Sequence, residues 1–160
     1  MAIYIAGVSS WTPVAHADGA TALANNSYLD VRITTASTER IVDIYIAGTA
    51  TASTVNQMAL RRVATTATAT PTNQTPAAAN TLSIAATTQF HAAATTGPTL
   101  ASTVHLGNFS LNTFGGVVRW VAAPGEEIWA TVGSVPNGEI VLDSISGTGT
   151  VSTDIRFEEI

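Results

Sequence analysis

Apolar and polar residues alternate along most of the informative stretches of the chain, which is the period-2 signature of strands that bury one face. In residues 28–35, Leu29, Val31 and Ile33 share one parity, and Tyr28, Asp30 and Arg32 share the other. Residues 40–48 repeat the pattern, with Val42, Ile44 and Ile46 opposed to Ile41, Asp43 and Tyr45. The short polar link 36–39 predicts that these two strands pair as an antiparallel hairpin. A weaker third strand covers 55–63, with Met58 and Leu60 on one side and Arg61 on the other.

Regularity then lapses. Residues 64–80 read ATTATATPTNQTPAAAN, where Pro71 and Pro76 block ladder pairing and the small side chains offer no core anchor, so a long loop is expected. A strand is expected within 81–90, around Leu82 and Ile84, and a loop over 92–98. Between 103 and 112 the apolar phase slips from Val104 and Leu106 to Phe109 and Leu111, as a β-bulge at Gly107-Asn108 would cause. The last third is the most regular: strands over 117–122, 127–135, 138–145 and 150–158 are separated by Pro124-Gly125, Pro136-Asn137-Gly138 and Gly147-Thr148-Gly149, all turn chemistry. Asn137-Gly138 between alternating apolar residues predicts a tight hairpin.

Eight or nine short strands at this spacing, with no convincing 3.6-residue period, predict an all-β fold: an antiparallel β-sandwich of jelly-roll type over residues 27–160. Leu29, Val31, Ile33, Val42, Ile44, Ile46, Leu142, Ile155 and Phe157 are expected to face inward. Residues 1–26 precede the first regular strand and are expected to form an N-terminal arm, holding an apolar IYIAGV run and then the small-residue stretch VAHADGATALANN. Ile3, Tyr4, Ile5 and Trp11 are its candidate anchors on another subunit, and the alternative is that the arm closes an edge of its own sandwich.

Composition narrows the classes of function. The 160 residues amount to one domain's worth of chain. Apolarity of 46% comes largely from small side chains, with 27 Ala beside 26 Thr. Only 11% of residues are charged; the six cations are all arginine and the net charge is −5, so the clustered cations that nucleic-acid binding needs are lacking. The absence of cysteine removes disulfides and thiolate chemistry. No apolar run reaches the ~18–20 residues of a membrane helix, and the N-terminus lacks a basic region before its apolar run, so synthesis in a cytoplasm without export is expected. Charge depletion marks interface cores, and with Ile41, Tyr45 and Trp120 on outward faces it predicts a homotrimer.

Candidate chemistry is sparse. His16, His91 and His105 stand alone, without the spacing of a metal site. Glu126-Glu127 and Glu158-Glu159 are adjacent pairs, and adjacent strand residues point to opposite faces, so neither pair can act jointly on one bond. No nucleophile elbow, P-loop or dinucleotide fingerprint occurs. No enzyme, metal or cofactor is therefore expected. Arg61-Arg62 is the one basic pair; one guanidinium is free to meet a carboxylate while the other is solvated, which makes both candidate interface residues. Trp120 and Trp129 fall within strand patterns and read as core or inter-subunit packing. The Thr-x-Thr pieces at 66–70 and 148–150 are too irregularly spaced for an ice-binding ladder. Three sequons, at Asn25, Asn73 and Asn108, are expected in a chain this rich in Ser and Thr and carry no secretory context.

The segment LDVRITTASTERIVDIYIAGTA, the strand Met58-Ala59-Leu60-Arg61-Arg62-Val63 with its Thr-rich loop, and then GPTL, FGGVVRWVAAPGEEIWATV, the GTGT turn and IRFEE together resemble small tailed-bacteriophage virion proteins that are Ala/Thr/Gly-rich, lysine-poor and built on a jelly roll. The resemblance spans roughly 28–159 and rests on strand types and turns. It implies a non-enzymatic capsid cement or decoration protein on the virion surface, bound to the major capsid protein lattice and often trimeric; separately, the 1–26 arm is expected to dock on the shell or on a neighbouring subunit. The alternative is a tail or fibre module that binds host glycan through Trp129 and the 64–80 loop.

Overall fold

The computed structural model describes residues 2–33, 37–66, 72–92, 97–131 and 138–160. These form thirteen strands and no helix, arranged as two antiparallel sheets packed face to face, so the all-β sandwich is as expected. The front sheet runs β10 (Phe114–Val121), β3 (Thr38–Thr49), β13 (Val151–Glu159), β1 (Ala2–Trp11) and β6 (Ala77–Ala78), with β11 (Ile128–Thr131) also on β3. The back sheet runs β5 (Thr72–Gln74), β7 (Gln89–Ala92), β2 (Tyr28–Arg32), β12 (Glu139–Ser146), β4 (Val55–Thr65) and β8 (Thr99–Leu100), with β9 (Gly107–Asn112) also on β4.

Alternation fills the space between the sheets. Leu29, Val31, Ile33, Ile44, Ile46, Leu142, Ile155 and Phe157 are all buried there, as their parity predicts. Val42 is not. The register of β13 against β3 jumps from Arg156–Asp43 to Phe157–Ile41, leaving Val42 unpaired. This bulge reverses the phase, so Ile41 rather than Val42 enters the core.

Pairing differs from the hairpins expected of neighbouring strands. β2 pairs β12 and β7 in the back sheet, whereas β3 pairs β13, β10 and β11 in the front sheet, so the 28–48 segment crosses the sandwich. The strands flanking Asn137-Gly138 also lie in opposite sheets, with residues 132–137 outside the described region. Gly147-Thr148-Gly149 is a third crossing, from β12 to β13. Pro124-Gly125 makes no hairpin either, because β10 and β11 run in the same direction along β3 and the turn is an excursion between them. Alternating patterns are blind to these choices, since a strand buries one face whichever sheet it joins.

Three local expectations are also corrected. β9 begins at Gly107 and keeps register with β4, so the phase slip reflects where the strand starts and there is no bulge. Leu82 and Ile84 are 90% and 78% exposed, and the strand of that region lies later, at β7. The 64–80 region contributes the end of β4 and the short β5 and β6, with residues 67–71 outside the described region.

The N-terminal segment belongs to the sandwich. β1 pairs β13 from Ala2–Glu159 to Trp11–Val151 and pairs β6 at Tyr4 and Ile5. Tyr4 and Trp11 are core residues, and Tyr4 stacks on Phe157 with ring centroids 5.7 Å apart. Residues 12–26 then cross the outer face of the back sheet, where His16 N–H bonds Ser144 O at 3.0 Å and Leu23 N–H bonds Pro98 O at 3.1 Å. Leu23 packs there with Tyr28, Val63, Leu100 and Val141 as a second small core. The back sheet is therefore covered on both sides, while among the described residues the front sheet is covered on one. Thr113 carries the chain from β9 to β10, and Gly48 is a glycine because an added methyl would overlap Thr113's carbonyl.

Candidate functional site

Ionisable side chains gather on the two outer faces, with very different exposure. Under the 12–26 cover, Arg61 projects from β4 and is 0% exposed. Its Nη2 donates to Asp18 Oδ1 at 2.6 Å and its Nη1 to the Asp18 carbonyl at 2.9 Å. Its Nε lies 3.4 Å from Oδ1 of the buried Asp143, whose Oδ2 is 2.6 Å from His16 Nε2. His105 Nε2 lies 2.7 Å from Asp18 Oδ1. The result is a chain of alternating charge types, His16–Asp143–Arg61–Asp18–His105, that joins the covering segment to the sheet. The hydrogen bond and then the charge of His105, with the Arg61 charge after them, outweigh desolvation and hold the Asp18 carboxyl below its ordinary range.

A second buried group lies beside it on β2, β7 and β12. Asp30 binds His91 Nδ1, and Arg32 Nε donates to Glu139 Oε2 at 3.1 Å. Burial, and then the Asp30 charge, raises the Glu139 carboxyl. A His–Asp pair can orient a general base, but His91 Nε2 faces Gln89 Oε1 at 3.2 Å, where a nucleophile would have to stand. Among the described residues no group of three or more His, Asp or Glu is placed to hold a metal. These ion pairs clasp the covering segment and the neighbouring strands together.

No described residue covers the outer face of the front sheet, where Arg119 and Arg156 are about half exposed. Asp43 of β3 receives two bonds from Arg119 of β10, at 3.1 and 2.7 Å, and lies 3.8 Å from Arg156 of β13. With Tyr45 and Asp154 these residues line a shallow hollow of about 250 Å³, where two arginines balance two aspartates. Nearby, Arg40 binds Glu158 and lies 3.4 Å from Glu127, and its guanidinium sits 5.6 Å above the Trp129 ring. That cation–π contact occupies a ring face on which a sugar would stack. Apolar side chains edge the charged centre: Val117 and Val121 of β10 are 57% and 58% exposed, and Ile3 of β1 is exposed on the far side. Beyond β6, a larger polar hollow of about 560 Å³ is lined by Gly7, Val8, Ser9, Ser10, Gln74, Ser152 and Asp154.

The structure separates the six residues marked in the sequence. Ile3 is exposed on the front sheet and Ile5 is half-buried, while Tyr4 and Trp11 pack in their own chain's core, which removes them as anchors for another subunit. Arg61 is fully buried in the clasp, which removes it as a surface cation, and Arg62 is half-buried on the opposite face of β4. The ground for a trimer also changes, because Ile41 is a core residue and Trp120 packs against the core. Sequence reading missed His16, Asp18, His105 and Asp143, which are far apart in the chain and meet only through the fold. It also missed the exposed β10 row, for which the unguarded stretch FGGVVRWV was the available signal. No family model, curated protein or solved structure matches the chain.

Proposed function

We propose that this protein is a non-enzymatic structural subunit that works by adhesion through the open outer face of its front sheet, in the role its sequence resembles: a capsid cement or decoration protein bound to the lattice of a major capsid protein. The observation that carries the reading is the asymmetry of the sandwich. The chain spends residues 12–26 and a buried ion-pair clasp on roofing the back sheet, and leaves the front sheet with balanced ion pairs and apolar margins facing outward. Apolar groups interleaved with polar ones are what a non-obligate contact surface offers.

Strand order supports the same reading. Among the eight principal strands β1, β2, β3, β4, β9, β10, β12 and β13, the front sheet orders the sixth, third, eighth and first, and the back sheet the second, seventh, fourth and fifth. That order is the one expected of a jelly roll, an architecture suited to virion subunits because it presents broad sheet faces on a rigid core. The test is to separate heads from tails of purified particles and detect this chain by mass spectrometry in each. Recovery with heads, at a ratio to the major capsid protein set by the lattice, is the expected result. Recovery with tails alone would overturn the reading in favour of a tail or fibre module.

A further inference from the structure

We infer that β10 is a self-pairing edge: the front sheets of two copies of this chain join through antiparallel β10–β10 pairing about a two-fold axis at Arg119. Ala122 donates its N–H to the Val42 carbonyl at 2.9 Å, in the register that pairs Val121 with Asp43 and Arg119 with Tyr45. Bonded and non-bonded pairs alternate in an antiparallel ladder, so Val118 and Trp120 exchange bonds with β3, while Val117, Arg119 and Val121 turn their N–H and C=O groups to the free edge. No described strand lies on that side of β10.

The edge lacks the usual guards against pairing. Residues 117–121 hold no lysine, proline or inward-pointing charge, and the irregularity in β10 falls before them, at Gly115 and Gly116. The one charge, on Arg119, is already neutralised by two hydrogen bonds to Asp43.

Self-pairing follows from symmetry and charge. An isologous contact needs a patch complementary to itself, and an antiparallel edge meets that need when its bonding residues map onto one another. Of the two-fold positions, only one at Arg119 pairs the whole regular run with itself: Val117 opposite Val121 of the second copy, Arg119 opposite its own equivalent, and Val121 opposite Val117. The two exposed valines of each copy then meet across the junction. The two central arginines each remain bonded to their own Asp43, so the like-charge cost of facing cations is offset. This inference does not depend on the capsid reading, and a free dimer is compatible with any site of action.

The test uses the full chain. Sedimentation equilibrium should show reversible dimers at concentrations above about 10 µM, as befits a short edge contact. A mass that stays monomeric to about 1 mM, or that steps directly to a trimer, would overturn the inference. Val121→Lys should raise the dissociation constant by about tenfold or more, whereas Ile3→Lys at the far margin should leave it unchanged; equal effects would refute the edge.

Because the chain has no cysteine, register can be read from single substitutions. Residues facing each other in a bonded pair have Cα atoms about 5.5 Å apart, within reach of a disulfide, while the two copies of residue 117 would lie about 14 Å apart. Arg119→Cys should therefore form a homodisulfide under mild oxidation. Val117→Cys should not, but should cross-link to Val121→Cys when the two are mixed. Cross-linking of Val117→Cys with itself, or none in the mixture, would contradict the proposed axis.

Discussion

Glu39 offers the sharpest energetic test of the fold. It sits at the start of β3, 1% exposed, opposite Glu159 in the β13 ladder, and accepts a hydrogen bond from Thr88 Oγ1 at 2.9 Å. Burial, reinforced by the Glu159 charge and opposed by the Thr88 bond, raises its carboxyl from the ordinary 4.5 to about 8. A carboxyl raised by folding holds its proton more tightly in the native state, so stability is greatest below pH 4.5 and is lost as pH rises toward 8. Each pH unit in that window costs about 1.4 kcal/mol, which puts the loss at pH 7 at roughly 3 kcal/mol.

Glu39→Gln removes the titration while keeping the shape and an oxygen for Thr88. Urea unfolding at pH 5 and pH 8 should show the wild type losing roughly 2–4 kcal/mol more than the variant across that interval, with the two differing least at the acid end. Parallel pH profiles, within about 0.5 kcal/mol, would refute the claim that Glu39 is buried and held neutral by the fold.

Further predictions address the clasp, a close approach and the first strand. Arg61→Met leaves the buried Asp143 without its arginine and should cost about 3–5 kcal/mol in urea unfolding, a loss that adding Asp143→Asn should partly restore. Gly48→Ala forces a methyl against the Thr113 carbonyl and should lower stability by about 1–3 kcal/mol in thermal unfolding, whereas Gly19→Ala, with open space around it, should be near neutral. Deleting residues 2–11 removes the strand between β13 and β6 together with Tyr4 and Trp11, so the truncated chain should show no cooperative melt by circular dichroism. A stable truncated domain would contradict the placement of β1.

The sequence made the strands legible where one face is buried against solvent on the other, as in β3, β10 and β13, because parity alone then marks the core. Parity placed the inner faces of β2 and β12 correctly but did not reveal that both strands are buried on both faces, with the outer residues Tyr28, Val141 and Asp143 packed under the 12–26 cover. Nothing in VAHADGATALANN announces a roof, since its anchoring relies on backbone bonds and on His16 and Asp18 meeting distant partners. The Val42 bulge escaped detection because both phases of RIVDIYI are apolar enough to be core. Pairing was illegible for a related reason: short links join strands within a sheet and across the sandwich equally well, and only the whole order of strands distinguishes them.

The proposed adhesive surface is the outer face of the front sheet, on a subunit bound to a capsid. A cryo-electron microscopy reconstruction of intact particles that contain this chain tests it most directly. The claim predicts this sandwich on the outer shell in symmetry-related copies, with the face bearing Asp43, Arg119 and Arg156 and the margins at Ile3 and Val117 turned into protein contacts. A shell without the sandwich, or a bound copy that contacts its neighbours only through the roofed back sheet, would contradict it.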